Sequence, residues 1–127
     1  MAYNLFLDDF RHPYDAFLMN HNTVYSQCDW VIVRDYKHFI KYIKKNGLPE
    51  MVSFDHDLAD VHYNYGNIPY EEYTEKTGFH CAKWLINYCI DNNKELPKTI
   101  LIHSANPVGK QNIQSLFDSY IKSLDLP

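Results

Sequence analysis

Met51-Val-Ser-Phe-Asp-His-Asp57 decides the fold: four residues of strand character run without a polar break other than one small serine, then stop at two aspartates around a histidine. Three other runs share this form. Asn4-Leu-Phe-Leu-Asp-Asp9 ends in two carboxylates, Trp30-Val-Ile-Val-Arg34 is aromatic and β-branched, and Thr99-Ile-Leu-Ile-His103 ends in a histidine. Continuous rather than alternating apolar character predicts strands covered on both faces, as in a parallel sheet.

The covering elements follow from helical spacing. Tyr36 to Asn46 places Phe39, Ile40 and Ile43 on one face and stops at Gly47, with Pro49 beyond. Thr77 to Asn92 carries Ala82, Leu85, Ile86, Cys89 and Ile90 at the same period, and Gly109 to Leu124 carries Ile113, Leu116, Phe117, Tyr120 and Ile121. Strands alternating with helices indicate one small α/β layered domain over residues 1–127 with right-handed crossovers. Residues 10–29 are expected to hold a short helix or an extra strand. Residues 59–76, polar and rich in tyrosine, are expected to form a long functional loop.

Composition narrows the function. Twelve basic and sixteen acidic residues give a net charge of -4, so no general DNA-binding surface and no affinity for acidic membranes is expected. The first residues lack the pattern of a secretory signal, no stretch reaches the roughly 20 apolar residues of a membrane span, and Cys28, Cys81 and Cys89 form no metal or redox motif. A cytoplasmic protein with reduced thiols is expected. Cys81 and Cys89, eight residues apart on a helix, read as core packing.

The polar residues gather at strand ends. In an open parallel sheet, ligands bind beyond the carboxyl ends of the strands, near the switch in strand order. If the four strands are neighbours, Asp8 and Asp9, Asp55-His56-Asp57 and His103-Ser104-Ala105-Asn106 share one rim. Four carboxylates there repel unless a cation neutralises them. Oxygen donors suit Mg²⁺ or Mn²⁺, and participation of His56 or His103 would favour Mn²⁺, Zn²⁺ or iron. His56 and His103, each beside groups able to orient an imidazole, are candidates for acid/base work or substrate binding. Backbone N–H groups near Val108 to Lys110 could cradle a phosphate.

The strings Leu-Phe-Leu-Asp8-Asp9, Val-Ser-Phe-Asp55 and Ile-Leu-Ile-His103-Ser104-Ala105 are similar to response-regulator receiver domains, with their acidic pair, phosphoacceptor aspartate and Ser/Thr-Ala. The chain departs from receivers after His103, where a terminal helix replaces the fifth strand that ends in Lys-Pro. It resembles more closely the cyclic-phosphate-processing receiver-like domains. That resemblance runs from Leu7-Asp8-Asp9-Phe10-Arg11-His12-Pro13 through Val33-Arg34-Asp35-Tyr36, Ser53-Phe54-Asp55-His56-Asp57-Leu58, Thr77-Gly78 and Ala82-Lys83-Trp84-Leu85 to His103-Ser104-Ala105-Asn106-Pro107-Val108-Gly109.

The resemblance implies a small receiver-like three-layer sandwich with a mainly parallel sheet of four or five strands. It also implies a metal-dependent phosphoesterase acting on cyclic phosphates, in RNA repair or in conflict between bacteria and their phages. The partner would be a cyclic nucleotide or an RNA terminal 2′,3′-cyclic phosphate, and the compartment the bacterial cytoplasm, or the host's for a phage protein. In that reading Asp8, Asp9 and Asp55 hold Mg²⁺ or Mn²⁺, Asp57 ligates the ion or orients a water, and His103 protonates the leaving oxygen with His56 nearby. Arg11, Ser104 and Asn106 bind the phosphate. Tyr63, Tyr65, Tyr70 and Tyr73 would stack on a base. The alternative is a non-catalytic receiver-like module that binds metal or sequesters a cyclic nucleotide.

Overall fold

A computed structural model describes residues 2–56 and 77–124. Among them, four strands, β1 (Asn4–Leu7), β2 (Val31–Val33), β3 (Met51–Phe54) and β4 (Thr99–Ile102), form one all-parallel sheet in the order β2-β1-β3-β4. Five helices accompany it: α1 (Pro13–Asn20), α2 (Val24–Gln27), α3 (Tyr36–Asn46), α4 (Gly78–Asp91) and α5 (Pro107–Leu124). The strand order reverses between β1 and β3, so the crevice of this α/β sheet opens beyond Leu7 and Phe54. The expected tyrosine-rich loop at 59–76, with Asp57 just before it, lies outside the described residues.

The two sheet faces are covered unequally, and side-chain alternation decides which residue goes where. Leu5, Leu7, Val33, Val52 and Phe54 point to one face and pack under α3, α4 and α5, through residues such as Phe39, Ile43, Leu85, Ile113 and Phe117. Cys81 and Cys89 are buried in this layer. Phe6 points the other way, into a smaller cluster with Ala16 of α1 and Tyr25 of α2, flanked by Trp30, Ile32 and Leu101.

Local chemistry sets the helix bounds. Asp35 caps α3 by accepting the His38 N–H at 2.8 Å, and Gly47, at φ 86°, ends it in a conformation that a side chain would disfavour. Pro107 opens α5, where it lacks only an N–H that would have no helical partner. The segment 10–29 resolves into two helices rather than a strand. In α1, Pro13 stands at the first turn and the His12 N–H donates to Asp15 Oδ2 at 2.8 Å. No described helix is long and apolar enough to cross a membrane.

Candidate functional site

Register builds the site. Leu7 pairs with Val33 and Phe54, and Phe54 with Ile102, so the next residues, Arg34, Asp8, Asp55 and His103, form one further row across all four strands. The ladder continues through that row: Asp8 N–H donates to Val33 O at 3.1 Å, Asp55 N–H to Leu7 O at 3.0 Å and His103 N–H to Phe54 O at 2.9 Å. Alternation turns their side chains toward the Phe6 face, away from the larger core.

Asp8, Asp9 and Asp55 each offer an oxygen within 4.8 Å of the others. At an intermediate dielectric, unit charges at that spacing repel by roughly 3 kcal/mol per pair. The consequence is visible in acidity. Burial, and then the charge of Asp8, push the Asp55 carboxyl from 3.8 up to about 7, with Asp9 adding and Arg11 opposing. Asp8 behaves oppositely: burial alone would raise it, but hydrogen bonds from His103 and from the Phe10 and Arg11 N–H groups outweigh that and hold it at about 2. Three clustered carboxylates fit a hard divalent cation, and they are the group among the described residues able to hold one.

Beneath the cluster runs a buried polar chain. His103 Nε2 lies 3.0 Å from Asp8 Oδ2, His103 Nδ1 lies 2.7 Å from Ser53 Oγ, and Ser53 Oγ lies 2.6 Å from Tyr25 Oη. The imidazole stacks on Phe6 at 4.3 Å between centroids and its side chain is 0% exposed. Burial, more than any other influence, lowers its proton affinity, although Asp8 pulls the other way.

A family model described as Cyclic-phosphate processing Receiver domain matches residues 3–119. The chain belongs to that family. Comparison with curated proteins and with solved structures returned no match. The family description points to cyclic-phosphate processing on a receiver scaffold, and the acidic cluster occupies the sheet's switch point.

Within this cyclic-phosphate processing receiver domain the sequence-predicted residues separate into three groups. Asp8, Asp9 and Asp55 come together as expected, and Arg11 joins them, its Nη1 3.8 Å from Asp8 Oδ2 and its guanidinium 4.8 Å from the Phe10 ring centroid. Ser104 and Asn106 lie on the turn into α5, where each satisfies backbone: Ser104 Oγ accepts the Asn106 N–H and Asn106 Oδ1 accepts the Gly109 N–H, both at 3.0 Å. The Gly109 N–H, expected to cradle phosphate, is thus committed to Asn106. His103 departs furthest from expectation. A proton donor must reach the substrate, whereas this ring is sealed beneath the rim with both nitrogens engaged. Asp57 lies outside the described residues.

Three features were not singled out from sequence. Arg34 fastens the loop carrying Asp8, donating from Nη1 to Arg11 O at 2.6 Å and Asp8 O at 3.3 Å while Nη2 meets His12 Nε2 at 3.3 Å. Gly78 abuts the β3 terminus so closely that a Cβ there would fall 1.7 Å from Asp55 O, and at Gly109 a Cβ would fall 2.3 Å from His56 Cγ. Ser53 was legible as the one hydroxyl in an apolar strand, two residues before Asp55 and so on its face. A groove of about 850 Å³ between α4 and α5 contains none of these residues.

Proposed function

We propose that the chain is a metal-dependent phosphoesterase that opens cyclic phosphates, either 2′,3′-cyclic phosphate ends of RNA or cyclic nucleotides. The observation that carries this reading is the convergence of Asp8, Asp9 and Asp55 within 4.8 Å at the strand switch point. Mg²⁺ or Mn²⁺ held by these three would supply Lewis acidity and neutralise charge on the phosphoryl oxygens.

The chain's own groups supply the rest. Arg11, 23% exposed and at the edge of the cluster, pairs with phosphoryl oxygens through its planar fork. The Ser104 O–H and the Asn106 amide are donors from the adjoining turn. His56, which directly follows Asp55 and is half-buried over Gly109, is the imidazole at the rim and takes the role of protonating the departing oxygen. Asp57 is assigned the orientation of the attacking water. The chemistry adds water across one P–O ester bond: the phosphorus gains an oxygen from water and the sugar oxygen leaves with a proton.

The test is phosphorus NMR of 2′,3′-cyclic and 3′,5′-cyclic nucleotides incubated with wild-type protein and Mn²⁺. The ring phosphate signal of at least one class should give way to a monoester, and Asp55→Asn should slow this by roughly 10² or more. A cyclic phosphate bound tightly and returned intact at every metal would establish the non-catalytic trap instead.

A further inference from the structure

Asp8 has four acceptor positions as a carboxylate, two on each oxygen. Phe10 and Arg11 N–H groups fill those of Oδ1, at 3.0 and 2.8 Å, and His103 fills one on Oδ2 at 3.0 Å. One lone pair, on Oδ2, is left without a hydrogen bond, with Arg11 Nη1 standing 3.8 Å from that oxygen. Which oxygen meets the ion is therefore decided by where the His103 N–H stands.

Within the row the ring is held at one nitrogen, by Asp8. It is fixed from below, by the Phe6 face stacked on it at 9° and by Ser53 at 2.7 Å, with Tyr25 2.6 Å further on. The chain of contacts from Asp8 through His103 and Ser53 to Tyr25 is continuous, and one assignment satisfies every partner in it: Nε2–H donates to Asp8, Nδ1 accepts the Ser53 O–H, and the Ser53 oxygen accepts the Tyr25 O–H.

We propose that Ser53 and Tyr25 are positioning residues that act through His103, locking its ring as an Nε2–H donor and so dictating the single oxygen lone pair with which Asp8 meets a divalent cation. The part concerning the cation rests on the metal-dependent reading given above; the locking of the ring does not. Both act at one remove from Asp8, through the His103 ring. The place of Ser53, two positions before Asp55, is set by the strand, with Phe6 on the face of Asp8 and His103 reaching between them, and Tyr25 meets Ser53 from α2. Groups that orient a metal ligand from outside its coordination shell commonly change metal affinity by 10- to 100-fold.

The experiment uses the full chain with nitrogen-15 histidine. In metal-free wild type at pH 8, long-range proton–nitrogen spectra should show a His103 Nε2 that bears a proton and a bare, hydrogen-bonded Nδ1; a protonated Nδ1 overturns the proposal. Ser53→Ala should shift the Nδ1 resonance and weaken Mn²⁺ binding roughly 10- to 100-fold, read by paramagnetic resonance of free Mn²⁺. Ser53→Thr should retain both, and Tyr25→Phe should show a smaller loss in the same direction. Wild-type affinity and wild-type nitrogen shifts in Ser53→Ala refute the positioning role. Should Ser53→Ala not fold, Tyr25→Phe and the wild-type spectrum decide. A wild type that takes up no Mn²⁺ overturns the metal-dependent function instead, and the metal-free spectra still judge the locking of the ring.

Discussion

Replacing Asp55 by asparagine should stabilise the metal-free protein, and the size of the gain should depend on pH in a defined way. The side chain keeps its shape and loses its charge. A carboxyl raised from 3.8 to about 7 binds its proton more tightly folded than unfolded, so it costs nothing below pH 4 and becomes progressively destabilising as pH rises to about 7. At about 1.4 kcal/mol per tenfold change in acidity, the full penalty is about 4 kcal/mol. Asp8, depressed to about 2, changes stability only below pH 4. His103, depressed by burial, contributes the opposite slope below pH 6.5, but it is present in both proteins and largely cancels in their difference. Chemical denaturation in EDTA at pH 4, 6 and 8 should therefore show Asp55→Asn near wild type at pH 4 and up to about 4 kcal/mol more stable at pH 8. Millimolar Mn²⁺ should close the gap by stabilising wild type alone. A variant less stable than wild type at pH 8, or a difference that does not vary with pH, would refute the claim that this cluster stores repulsion.

His103→Ala should lose about 3 kcal/mol of folding stability, by urea titration, together with much of its Mn²⁺ affinity, because the ring is packed on Phe6 and bonded to Asp8; a solvent-facing proton donor would lose neither. Arg34→Ala should lower the melting temperature by several degrees and weaken Mn²⁺ binding in calorimetry, since the guanidinium fastens the loop that bears Asp8 and Arg11. Gly78→Ala should fail to accumulate as folded protein, judged by near-ultraviolet circular dichroism, because its Cβ meets the Asp55 carbonyl at 1.7 Å. Gly109→Ala, whose Cβ meets the His56 side chain at 2.3 Å, should fold and bind Mn²⁺ but lose turnover as that imidazole is displaced.

Legibility in the sequence followed the physics of each element. Helix α3 was readable to the residue, since its apolar stripe and Gly47 act locally. Helix α5 begins at Pro107, two residues before the periodic pattern becomes visible, because a helix's first turn need not touch the core. Residues 10–29 gave no firm pattern for a related reason: α1 buries only Ala16 and α2 only Tyr25, too little for a period to emerge. Strand ends located the row of Asp8, Asp55 and His103, but a strand end does not say whether a side chain faces solvent or the layer beneath. For His103 the deciding partners are Phe6 and Ser53, which are 97 and 50 positions distant. Alternation within the strands carried part of that information, and the depth of the layer beneath required the fold. The close approaches of Gly78 and Gly109 likewise belong to tertiary packing, where a missing Cβ has meaning only once its neighbour is known.

The most direct test of a divalent site at the heart of this receiver domain is the stoichiometry of Mn²⁺ uptake, read at pH 7.5 from the resonance of free Mn²⁺ during titration of wild type, Asp8→Asn and Asp55→Asn. One or two ions should bind the wild type in the micromolar to millimolar range, with binding lost or weakened at least about 100-fold in both variants. A wild type that leaves Mn²⁺ free at millimolar concentrations, or variants that bind as wild type does, would contradict the account.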